Sequence, residues 1–346
     1  MTAQAEIPDI KAEPAELKII RETNRDAWIR RAKVLAPVWT LIVMWILFSL
    51  ASPSFLTLVN FNNILSQVAT AGILAVGMTF VLLTGEIDLS IAAVMGLSAY
   101  VATMLYFTYH VPEPIPIIAG LLVGVLCGAG SGIISQVIRV PTFMATLAMS
   151  LIAEGLLLWI SQGRQFFTQS LSPLVLWIGS AKLDNLRQGW LILLAGGCLL
   201  IGFLVLRFTR FGRYVYMSGA NPSAARLAGI NTKLMVFSVL TISGFTAGLA
   251  GIAAMGRLGT ALPSPQSGYL IQAIAVVVLG GTALTGGRGG MWQSAVGLLI
   301  YGSLSNGLDN VANIDTFEKT FITGLVLLGA LIINIVFAGR APRDRT

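Results

Sequence analysis

Residues 115–137 read IPIIAGLLVGVLCGAGSGIISQV, 23 residues without a formal charge. A bilayer core about 30 Å thick is crossed by roughly 20 apolar residues in a helix, so this run is long enough to span one. Gly120, Gly124, Gly128 and Gly132 recur in it at every fourth position and therefore share one helical face. Lipid gives helices no hydrophobic reason to associate, and small residues that let two backbones approach take over that role. The four glycines read as a packing seam, and Gly244 with Gly248 repeat the device further on.

Outward from this run, nine more segments meet the same requirement: 34–52, 64–84, 89–107, 142–161, 189–208, 235–256, 269–285, 290–308 and 317–338. Glu154 and Arg207 put charge inside them, and Glu86 and Asp88 lie between the second and third. A membrane β-barrel would instead need alternating segments of about 10 residues. The expected fold is all-α, a membrane protein of about ten transmembrane helices.

Composition carries the same message across 346 residues. The residues AVILMFWYC make up 55% of the chain and DEKR only 11%, with a mean hydropathy of +0.82. A soluble domain carries about 25% charged residues, so this chain lacks the means to cover a water-facing surface. Thirteen of its charges fall in residues 1–33 and four more follow from Arg340. The organisation expected is a polar N-terminal segment 1–33, a transmembrane domain 34–339 and a tail 340–346. The leader carries charges of both signs and no signal-peptide pattern, so the first apolar run is expected to be retained. Cys127 and Cys198 lie in apolar runs and suggest neither a disulfide framework nor a metal site. With His110 the single histidine, zinc or triad chemistry has too few parts. The net charge of +7 reflects inner loops of a membrane protein rather than nucleic-acid binding.

The basic residues set an orientation. With an even number of spans and the N-terminus inside, the inner side holds 17 Lys and Arg and the outer side five: Arg164, Lys182, Arg187, Arg257 and Lys319. The positive-inside rule then favours both termini in the cytoplasm.

The longest polar interruption is RFTRFGRYVYMSGANPSAARLAGINTKL, residues 207–234, with five basic residues and no acid. Asn221 suits an N-cap, Pro222 the first helical position and Gly229 the residue past the end. A helix of about two turns over Ser223–Ala228 is expected, presenting Ala224, Ala225 and Leu227 beside Arg226. Such a short helix is marginal alone, which suits a peg for a cytoplasmic partner. Asp88, with Ser90 beside it, is placed to cap the third span. Glu154 is expected to face the bundle interior near Arg164 or a watery path, because lipid exposure of a carboxylate is costly. Leu83-Thr84-Gly85 returns 201 residues later as Leu284-Thr285-Gly286, with Gly96 and Gly297, and Tyr100 and Tyr301, at the same offset. Transporters are often built from such repeats.

Three stretches carry a resemblance. They are Val76–Thr79 through Leu83-Thr84-Gly85-Glu86-Ile87-Asp88-Leu89-Ser90, Gly219-Ala220-Asn221-Pro222 through Ala224–Ile230, and Leu279-Gly280-Gly281-Thr282 through Gly286-Gly287-Arg288-Gly289-Gly290. In this order the chain resembles permease subunits of bacterial ABC sugar importers of the ribose, xylose and galactose type. It departs at Glu86, where glycine is usual before Ile-Asp-Leu-Ser. The resemblance implies a multi-pass protein of the bacterial inner membrane and a core of two permeases. It also implies a cytoplasmic ATPase that uses ATP and magnesium, and a periplasmic sugar-binding protein. It makes Gly219–Gly229 an ATPase-coupling element, and Gly85, Glu86, Asp88, Ser90, Gly280, Gly281, Gly286 and Gly287 pathway or gating positions. No G-x-x-x-x-G-K-[ST] occurs in the sequence, so this chain is expected to hydrolyse no ATP and to bind no cofactor of its own. Permeases for nucleosides, branched-chain amino acids or a sugar-derived signal share the architecture. A proton-coupled secondary transporter using Glu86, Asp88 or Glu154 is the alternative of a different class.

Overall fold

The computed structural model describes residues 36–183, 188–264, 266–310 and 315–338. The segment 1–33, Arg187 and the tail 340–346 lie outside the described residues. Those described form thirteen α-helices: α1 (Ala36–Ala51), α2 (Leu58–Leu83), α3 (Ile91–Phe107), α4 (Ile115–Gln136), α5 (Thr142–Ser161), α6 (Pro173–Ser180), α7 (Gly189–Phe208), α8 (Arg210–Ala220), α9 (Pro222–Leu227), α10 (Thr232–Leu258), α11 (Ser267–Leu279), α12 (Met291–Asn310) and α13 (Thr316–Ala338). Two short strands, β1 (Phe166–Phe167) and β2 (Thr260–Ala261), pair antiparallel, Phe166 opposite Ala261. By length and composition α2, α4, α5, α7 and α10 can cross a membrane, and α1, α3 and α11 are shorter apolar helices.

The centre is built on α2 and α10. Ile73, Leu74, Met78 and Leu82 of α2 are buried with Ala250, Ile252 and Ala253 of α10 and Val276 and Val277 of α11. The periphery is apolar too: Leu47 and Leu50 of α1, Leu151 and Ile152 of α5, and Leu200 and Ile201 of α7 are exposed. Apolar faces this extensive suit lipid rather than water. On α4, Gly120, Gly124, Gly128 and Gly132 are buried. A Cβ on Gly124 or Gly128 would run into the backbone of Gly244 or Leu240 on α10, one on Gly120 would meet Ser98 O at 2.8 Å, and one on Gly132 would meet Phe237.

Several boundaries differ from the sequence reading. The second span starts at Leu58, where the Thr57 side chain accepts from Asn60 N at 3.2 Å. The eighth ends at Leu279 instead of continuing to 285, because the glycine-rich 280–290 segment satisfies its backbone by turns, among them Thr282 N to Val277 O and Ala283 N to Arg288 O. The polar stretch 207–234 is not a loop: α7 passes through Thr209, whose side chain caps α8, into α8 and α9. The stretch 162–188 contributes β1 and α6, capped by Ser172.

Candidate functional site

The α9 helix is short and well closed. Asn221 is extended and its side chain accepts from Ala224 N at 3.0 Å, while Pro222 occupies the first turn. Gly229 ends it with φ +81, and Ile230 N returns to Ala225 O at 3.0 Å. The sequence reading put Ala225 on the presented face, and this is corrected. Ala225 is 1% exposed and packs on Ile230, Met235 and Phe211, whereas Leu227 is 91% exposed. Ala225 therefore anchors the helix to its own chain. The free surface comprises Ala224, Leu227 and Arg226, with Arg226 tied to Ser223 Oγ at 3.2 Å.

Just before α9, α8 ends on a junction of two turns. A Cβ on Gly219 would enter the Leu83 carbonyl and lie 2.9 Å from Gly287 N, and one on Gly287 would press on Ala220. Gly287 N donates to Leu83 O at 2.9 Å, and Gly85 and Gly286 abut through their backbones. Tyr216 of α8 donates to Gly289 O at 2.8 Å, and Gly280 packs on Gln293 O. The two Leu-Thr-Gly stretches, far apart in sequence, thus touch each other and α8. Gly281 is set apart, its nearest neighbour beyond the turn being Pro37.

Asp88 is buried in the α2–α3 turn. One carboxylate oxygen accepts from Ser90 N at 2.8 Å and Ser90 Oγ at 2.7 Å, the other from Ser243 Oγ of α10 at 2.6 Å. Ser90 makes no side-chain cap for α3, so Asp88 acts as a tie between this turn and α10 instead of capping the third span. Thr146 of α5 holds the same turn through Leu89 N at 3.2 Å and Ile87 O at 3.3 Å. Burial pushes the Asp88 and Glu86 carboxyls up, opposed by bonds from Ser243 and Ser90 in the first and from Thr142 in the second. Glu154 is half-buried on α5. The expected partner Arg164 lies elsewhere, its guanidinium over the rings of Phe107 and Phe166 at 5.8 and 5.1 Å. Among the described residues no ion pair links them.

One feature escaped the sequence reading. A cavity of about 550 Å³ is lined by Asn63, Ser66, Gln67, Ser180, Lys182, Gln188, Arg257 and Asn306, with no apolar residue among them. Its signal was the spacing of Asn63, Ser66 and Gln67, one helical face at the head of α2.

Apolar helices in close backbone contact, with a capped two-turn helix following a helix end that packs on two glycine turns, suit a polytopic membrane permease. The chain belongs to the family described as the branched-chain amino acid transport system / permease component, whose sequence model matches residues 60–336. It is 36% identical over 312 residues to the ribose import permease protein of Escherichia coli K12, covering 89% of this chain and 94% of that one. It is 33% identical to the fructose import permease protein of Rhizobium meliloti, covering 89% and 86%. To the xylose transport system permease protein of Escherichia coli K12 it is 30% identical, covering 93% and 97%. The resemblance to sugar-importer permeases read from the three motifs is borne out.

Proposed function

We propose that this chain forms the translocation pathway for a monosaccharide in an ATP-driven importer of the bacterial inner membrane. It works as one of two permease copies, with about ten spans and both termini in the cytoplasm. A separate ATPase hydrolyses ATP, and a periplasmic protein delivers the sugar. The observation that carries the mechanism is that α9 follows directly on the end of α8, which packs on both glycine turns. A push on Leu227 reaches Ala220 and Gly219, then Leu83 and Gly287, and so the ends of α2 and α11 and the starts of α3 and α12. Alternating access follows when ATP closes the ATPases and they displace α9. The sugar class rests on the three permeases named above, each related over most of its length. The family description favours branched-chain amino acids as the second reading, and uptake of labelled leucine against ribose, xylose and fructose separates the two. The permease family and the sugar-importer relatives speak against the proton-coupled alternative.

Two experiments test this reading. Leu227→Asp alters an exposed side chain, so folding should change by no more than about 0.5 kcal/mol. A carboxylate buried in a partner's groove without a counterpart costs far more. The expected result is normal membrane abundance, uptake reduced at least roughly tenfold and ATP hydrolysis no longer stimulated by loaded binding protein. Wild-type uptake would reject the docking role. For orientation, single cysteines at Gln165 and Ser223 in a chain lacking Cys127 and Cys198 should react with an impermeant thiol reagent from outside and inside respectively. The reverse pattern would reject the orientation.

A further inference from the structure

The polar cavity has a mouth and a floor. Asn63, Ser180 and Lys182 are exposed, Gln67, Gln188 and Arg257 half-buried, and Ser66 and Asn306 buried. Its walls come from the head of α2, the segments after α6 and before α7, the end of α10 and the last turns of α12. Below it, Thr70 continues the face of α2 on which Asn63, Ser66 and Gln67 lie. Two buried oxygens on that face, Gln67 Oε1 and Thr70 Oγ1, have no hydrogen-bond partner in the protein. Buried polar atoms are normally paired, and the unpaired Gln67 Oε1 belongs to a residue that lines the cavity. The wall itself is held by bonds that face away from the cavity's needs: Gln67 Nε2 to Asp309 at 3.3 Å, and Asn310 to Asn306 Oδ1 at 3.0 Å and to Asn60 Oδ1 at 3.3 Å.

The volume lies within the roughly 300–1,000 Å³ typical of small-molecule sites, but such sites are mainly apolar with a few polar groups. Here every lining side chain carries a polar group. Four amides and two hydroxyls both donate and accept, as sugar hydroxyls do. Among the described lining residues none is aromatic, so none offers a face to hold a ring tightly. A passage must bind well enough to admit a solute and weakly enough to release it, and many interchangeable hydrogen bonds meet both demands. Lys182 and Arg257 disfavour cationic solutes.

The geometry points to this cavity as the entry chamber of the pathway, where an uncharged polyhydroxylated sugar of five or six carbons is received. The inference rests on the sugar-importer reading and on its orientation. The test uses the complete transporter with labelled D-ribose, D-xylose and D-fructose. Asn63→Cys, in a chain lacking Cys127 and Cys198, is plugged after folding with a bulky impermeant maleimide. Gln67→Leu alters the floor by mutation. Plugging, and Gln67→Leu in protein of normal abundance, should each lower uptake by about tenfold, the scale of a polar partner left unmade. ATP hydrolysis stimulated by loaded binding protein should stay within twofold, and excess sugar should slow the maleimide reaction. Complete labelling with unchanged uptake would overturn the chamber, as would loss of the stimulated ATP hydrolysis, which marks a binding-protein surface. If the unmodified chain takes up none of the three sugars, the sugar reading itself falls, and the chamber with it.

Discussion

Two of the regions where glycine brings backbone against backbone differ in kind. Along α4 and α10, glycines in regular helices let two rods touch, and every contact repeats at the helical period. At the α8 junction the contacts join the end of one helix to two turns, with a hydrogen bond from Gly287 to Leu83 and a left-handed Gly287 at φ +71. The seam fixes a distance between helices. The junction fixes a conformation as well, and so it can pass a displacement from one element to another.

The largest effect is therefore expected at the junction. Gly287→Leu combines a left-handed conformation, costing about 1–2 kcal/mol for a residue with a Cβ, with a side chain driven onto Ala220, an overpacking cost of about 1–3 kcal/mol. Membrane abundance should fall, and the remaining protein should lose binding-protein-stimulated ATP hydrolysis. Retained coupling at reduced abundance would reduce the junction to a second seam.

Gly124→Leu comes next. Its backbone conformation is ordinary, so only close approach to Gly244 is lost, at about 1–3 kcal/mol or somewhat more where backbone cannot yield. A lower melting temperature in detergent is expected, with uptake per surviving molecule near wild type. A matching melting temperature would remove the seam from the packing account.

This difference also explains what the sequence made legible. The seam was readable because four glycines at helical spacing declare their own face. The α9 helix was readable through Asn221, Pro222 and Gly229, since caps are local. The face it presents was not, because the burial of Ala225 depends on Phe211 and Met235 from neighbouring helices. The junction pairs Gly219 with Leu83 and Gly287, contacts over long sequence separations that no local pattern encodes. Asp88 was misplaced for the same reason: its partner Ser243 lies 155 residues away. The polar cavity draws on four separate parts of the chain, of which only the α2 face has a period of its own.

The smallest effect is expected where glycine has no neighbour at all. Gly196 is exposed on α7, and a Cβ there would meet nothing within 4 Å. Gly196→Ala should leave stability unchanged or raise it by no more than about 1 kcal/mol, the helix preference for alanine over glycine. If uptake and assembly are also unchanged, glycine matters in this protein through contact and conformation rather than through composition. A loss of assembly with an intact single chain would instead place the Gly196 face of α7 against the second permease copy, because a methyl group costs only where another surface arrives. Detergent melting of the single chain together with crosslinking of the assembled pair separates the two results.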